Sequence, residues 1–204
     1  MEKVKYLGHI LFHPFDGFYE AKVRGKGSLR LATILMVLYA VLKCFSYQYT
    51  GFIMNMNPVF EMNSVVIVIS ALSVPLLFVV ANWTVTTLFE GKGKLGEIFM
   101  VTSYSMVPLM LGEILVTLVS NFVISEEVVL LTSVKAIMVV WFAFLMIAGL
   151  CTIHEYGLFQ NLATLVVTLI AAAILIFLFV LFLSLMEQMV SFFITFSQEW
   201  VRRT

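Results

Sequence analysis

The sequence predicts an all-α integral membrane protein: a bundle of five transmembrane helices with an N-terminal interfacial amphipathic segment and a short C-terminal amphipathic helix. Three observations predict it. Hydrophobic residues make up 62% of the 204-residue chain and charged residues 12%, against roughly 45–50% and about 25% in soluble domains. Mean hydropathy is +1.06; a soluble fold of this length cannot hide that much apolar surface, so lipid must solvate much of it. Finally, the apolar residues fall in five runs, 30–49, 64–89, 97–122, 127–151 and 158–186, each near or beyond the roughly 20 residues that cross the hydrocarbon core as a helix.

In order, residues 1–29 form an amphipathic and basic lead-in. Leu7, Ile10, Leu11, Phe15 and Phe18 recur at helical spacing, which suits a helix lying in the interface plane. Pro14 is expected to kink or split it, because proline disfavours helical geometry at His13. Leu7–Phe12 is interrupted by His9 and lacks a small-residue cleavage site, so this is not expected to be a removable signal. Lys22, Arg24, Lys26 and Arg30 suit anionic headgroups or the acidic surface of a partner. The five runs fill 30–186. The loops Gln48–Asn63, Glu90–Gly96, Ser120–Glu127 and Thr152–Gly157 are short enough to make consecutive helices antiparallel neighbours. The tail, 187–204, is too short and polar to cross again; Met189, Phe192, Phe193 and Phe196 share a face, with Trp200 as an interface anchor.

Charge sets the orientation. Lys3, Lys5, Lys22, Arg24, Lys26 and Arg30 precede the first run and Lys92 and Lys94 follow the second. The loops after the first and third hold only Glu61, Glu126 and Glu127 as charges. The N-terminus is therefore expected in the cytoplasm and the C-terminus outside, in the plasma membrane, with Arg202 and Arg203 against the rule. Cys44 and Cys151 fall near opposite faces, too far apart to bridge.

The stretch Trp83–Glu113 is expected at the centre of the bundle. Pro108 removes one helical hydrogen bond and frees the carbonyl of Tyr104, with Thr102, Ser103 and Ser105 nearby. Asn82 and Trp83 are expected to supply hydrogen bonds between helices. Thr164, Thr168 and Ala172 form a small-residue face in the fifth run, for packing within the chain or for a homo-oligomer.

Three charges fall inside the runs. Glu113 lies 16 residues past Glu97 and Lys135 lies 16 before Cys151, which puts both about 24 Å from the cytoplasmic side. Lys43 reaches a similar level. An isolated charge at the bilayer centre costs about 2.5–3.5 kcal/mol on insertion scales, so Glu113 is expected to face Lys135, Lys43 or both. Such a group serves as an architectural clamp or as a site for an ion or polar solute; lysines snorkelling to the headgroups are the third reading.

Catalytic chemistry finds little footing. No catalytic residue, metal or cofactor is expected: His9 and His13 have ligand spacing but Pro14 intervenes, and Leu158 stands where a zinc-protease helix beginning at His154-Glu155 needs its second histidine. Zero net charge gives no reason to expect nucleic acid.

Tyr104-Ser105-Met-Val-Pro108 in the third run, after Trp83 in the second and a glycine-containing turn at Gly91–Gly96, resembles the Yip family. These are five-span membrane proteins named for association with Rab/Ypt GTPases. Eukaryotic members carry a longer polar region with an Asp-Leu-Tyr-Gly-Pro-like motif; Asp16-Gly-Phe-Tyr19 departs from it, so the chain looks more like the bacterial branch. The resemblance implies a protein without known catalysis that acts through partners, here a scaffold or accessory subunit for other membrane proteins. The alternative is a permease-like protein with a path lined by Glu113, Lys135 and Lys43.

Overall fold

The structure is a computed structural model that describes residues 2–55 and 62–203; Glu61, used above for orientation, lies outside them. Its helices are α1 (Glu2–Phe12), α2 (Pro14–Val23), α3 (Leu29–Tyr49), α4 (Ser64–Leu88), α5 (Leu95–Ser105), α6 (Val107–Val119), α7 (Val128–His154) and α8 (Leu158–Arg203). Among the described residues five helical segments are long and apolar enough to cross a membrane, with α5 and α6 together making the third.

Local chemistry fixes the ends. The side chain of Asn63 accepts from the amides of Val65 and Val66 and so starts α4, satisfying donors that a helix N-terminus leaves open. The Glu97 carboxylate reaches back to the amide of Lys94 at the start of α5, one half of a capping box. Pro108 sits in the first turn of α6. It divides the third span at Met106, as the sequence led one to expect.

The third span is the axis of the bundle. Every residue from Val101 to Met106 is buried, and Ile98, Val101, Tyr104 and Met110 belong to a core cluster shared with Leu35, Val79, Met146 and Leu150. Helices α3, α4 and α7 surround it, and α8 packs on α4. The small-residue face acts there: Thr164 and Thr168 are both buried.

The N-terminal segment is helical, as expected, and packs on the bundle. Pro14 splits it into α1 and α2, and the pair folds back as a hairpin against α5 and α7. From the Lys22 end, where the ammonium meets the carbonyl of Ile153, α2 follows α7 past Phe15 on Phe144 to Phe12 on Trp141. Trp141 lies 13 residues before His154, so the hairpin tip reaches about 20 Å along α7. Part of the apolar stripe faces protein, with Ile10 and Phe18 fully buried, whereas Phe15 is 55% exposed. Two local features allow this. Gly17 faces Ile10 so closely that an added Cβ would lie 2.9 Å from the Ile10 Cα. The indole Nε1–H of Trp141 donates to the carbonyl of Leu11, which the helix break at Pro14 leaves without a partner in the next turn.

The C-terminal tail is helical but not separate, since α8 runs unbroken for 46 residues. From Ile176 to Gln198 every residue is exposed.

Candidate functional site

Polar and charged side chains gather at the two ends of the bundle. At the end that carries the loops after α3 and α6, these two helices are drawn together where the amide of Gly51 donates to Ser120 Oγ at 2.7 Å and Asn121 Nδ2 donates to the carbonyl of Tyr49. Below that junction Lys43 Nζ lies 3.3 Å from Glu113 Oε2 and also over the ring of Tyr39. Glu113 is thus paired across α3 and α6. Lys135, on α7, adds to the positive field around the same carboxylate but stands beyond ion-pair distance. Of the two partners expected for Glu113, the nearer is Lys43, because the α3–α6 junction brings it to that side of α6. The three groups line one cavity of about 420 Å³, with Ser46 and Tyr47 from α3, and Ser70 and Ala71 from α4.

At the opposite end a hydrogen-bonded chain ties four elements together. The amide of Gly93 donates to His154 Nδ1 at 3.3 Å. That places the imidazole proton on Nε2, which donates to Asn82 Oδ1 at 3.2 Å. Asn82 Nδ2 donates in turn to Thr168 Oγ at 3.1 Å, and Thr168 to the carbonyl of Thr164. His154, Asn82 and Thr168 are all buried, where an unpaired polar group is expensive. Tyr156 stacks on His154 and donates to the carbonyl of Phe89.

Over this chain lies a charged clasp. Glu155 takes Lys22 at 2.8 Å with one oxygen and Lys92 at 2.5 Å with the other, so it joins the N-terminal hairpin to the α4–α5 turn. Hydrogen bonds from Lys22 and Lys92 hold its carboxyl down at about 2. Glu155 closes α7 with a left-handed backbone, φ 59°. A residue with a Cβ adopts that conformation at a cost of roughly 1–2 kcal/mol, which the two ammonium contacts help to offset.

The remaining expected residues divide. Tyr104 is a structural member of its motif: its hydroxyl accepts from the amide of Ser28 at 2.9 Å and donates to the carbonyl of Ser28 at 3.0 Å, pinning the start of α3. Ser105 is buried, and its hydroxyl has no hydrogen-bond partner. Asn82 bridges helices as expected. Trp83 makes no side-chain hydrogen bond to another helix among the described residues and is 42% exposed. Of the basic lead-in, Lys22 is engaged by Glu155, and Arg24 and Lys26 both bind Glu20; Arg30 remains exposed. Sequence reasoning missed His154, Glu155 and Lys92 as partners. The legible signal was a His-Glu-Tyr-Gly helix end and a Gly-Lys-Gly turn due at the same membrane face.

These features define a class: a helical membrane protein with five spans, whose polar residues join helices. A Yip1 domain family model matches residues 8–182, and the chain belongs to that family. No curated protein and no solved structure matches it.

Proposed function

We propose that this protein is a non-enzymatic scaffold or accessory subunit for other membrane proteins, related to trafficking or transport and resident in the plasma membrane. The carrying observation is the bare surface of α8, where Ile176 to Gln198 make no cover for themselves within the chain. Lys22, Arg24 and Lys26 share one end of the bundle with Lys92, which supports a cytoplasmic N-terminus and an external C-terminus. With three of those lead-in cations held within the chain, the membrane-facing helices are the better candidates for partner contact.

The test is site-specific photocrosslinking from Phe182 and Phe193 in native membranes, followed by copurification. Discrete protein adducts support the scaffold; adducts to lipid alone overturn it. A second reading, a permease-like path past Glu113, Lys135 and Lys43, draws on the outer cavity. Against it, Leu35, Val79 and Met110 are buried further along the same helices. Solute flux in liposomes that disappears in a folded variant with Lys43 and Glu113 exchanged would favour the path.

A further inference from the structure

We propose that the outer cavity is a binding site for a phosphate oxyanion, either the phosphodiester of an outer-leaflet lipid headgroup or free phosphate. Two ammonium groups and one carboxylate line it. Lys43 is engaged by Glu113 and by the ring of Tyr39. Lys135 has no carboxylate within ion-pair distance among the described residues. A half-buried ammonium left in a membrane without a counter-ion is costly, and a monoanion entering the cavity supplies one.

Depth and shape agree with such a guest. The lining residues run from Lys43 to Thr50 on α3, a rise of about 10 Å, with Met54 and Asn55 of the following loop at the rim. That is the zone between acyl chains and headgroups. A volume of about 420 Å³ is within the range of small-ligand pockets.

The third charged group of the wall suits donors carried by the same guest. The carboxylate of Glu113 is an acceptor for the hydroxyls of a glycerol headgroup or for a proton of dihydrogen phosphate. Occupancy requires no passage across the membrane, so the site is compatible with either role above.

The experiment uses the full chain in nanodiscs of phosphatidylcholine with or without phosphatidylglycerol. Native mass spectrometry reads retained lipid, and phosphorus NMR line broadening reads added inorganic phosphate. The wild type is expected to retain phosphatidylglycerol in preference to phosphatidylcholine. Lys135→Ala should lower that retention about tenfold, as loss of one charge-assisted contact does, while Lys135→Arg keeps it. Phosphate broadening that depends on Lys135, without selective lipid retention, identifies the free anion as the source. Failure of both probes to bind the wild type, or equal binding by wild type and Lys135→Ala, overturns the site. If the alanine variant does not fold, Lys135→Gln removes the charge at similar size and is read the same way. The surface variant Lys26→Ala should bind like the wild type.

Discussion

Replacing Asn82 by alanine is expected to be among the most damaging changes away from the apolar core. Asn82 is 1% exposed, His154 2% and Thr168 0%, so water does not readily substitute for the lost amide. Two contacts disappear, one from His154 Nε2 and one to Thr168 Oγ. An interhelical hydrogen bond in a membrane contributes on average about 0.6 kcal/mol and at most about 1.7. Leaving the buried imidazole N–H without an acceptor adds roughly 1–3 kcal/mol. The expected total is about 2–4 kcal/mol, dominated by the stranded histidine. Since 1 kcal/mol shifts the melting temperature by about 2–4 °C at this chain length, the variant should melt roughly 4–16 °C lower in detergent. Thr168→Val leaves the histidine contact in place, loses the second contact and the bond from Thr168 to the carbonyl of Thr164, and should cost about 1–2 kcal/mol. In a double-mutant cycle the two should couple by at least about 0.5 kcal/mol. Strict additivity, or an alanine variant as stable as the wild type, would refute the continuous chain from Gly93 to Thr164.

Lowering pH tests the clasp. The carboxyl of Glu155 is depressed to about 2 from its usual value near 4.5. Its contribution is therefore complete above the unfolded value and fades as pH falls from there through about 2; Glu155→Gln should flatten that limb of the stability profile, read by melting temperature. Lys43→Met should cost about 1–3 kcal/mol, below the 3–5 of a fully buried pair because Lys43 is partly exposed. Exchanging Lys43 and Glu113 should recover most of that loss in expression and thermal melting. Gly149→Ala brings a Cβ to 2.5 Å from Val101 Cγ1, an overpacking cost of about 1–3 kcal/mol that Val101→Ala should partly relieve in a chemical-denaturation series. In a variant lacking Cys44 and Cys151, a cysteine at Phe12 should resist membrane-impermeant maleimides from both sides, whereas one at Arg24 should react from one side. Rapid labelling at Phe12 would place the hairpin tip in water.

Length and composition alone were enough to read the five spans, because backbone satisfaction in lipid leaves few alternatives. The break at Pro108, the centrality of the third span and the bridge from Asn82 followed from single residues that are costly in hydrocarbon. The packing of residues 2–23 on the bundle was not legible. A helix that packs its apolar stripe on protein and one that packs it on lipid share one pattern, and only Gly17 facing Ile10 separates them. Trp83 misled because a tryptophan beside an asparagine reads as a polar bridge, whereas the 100° step between neighbours on a helix sends them to different faces. Glu113 was readily identified as needing a partner, but equal heights on α3 and α7 left the choice between Lys43 and Lys135 to the α3–α6 junction. The clasp at Glu155 joins residues 133 positions apart in the chain, and no local spacing encodes it.

The hairpin of α1 and α2 adds two helices to one end of the bundle. Helices are about 10–12 Å across, so two additional ones widen the half of the protein next to the basic turns by roughly 200 Å² while the other half keeps only the five spans. A bilayer accommodates such a body most easily where the broader leaflet is convex. The full chain should consequently concentrate on small vesicles over large ones when the hairpin side faces outward, and removal of residues 1–23 should abolish the preference. Equal partitioning of the intact protein between the two vesicle sizes would show that lipid packing absorbs the difference.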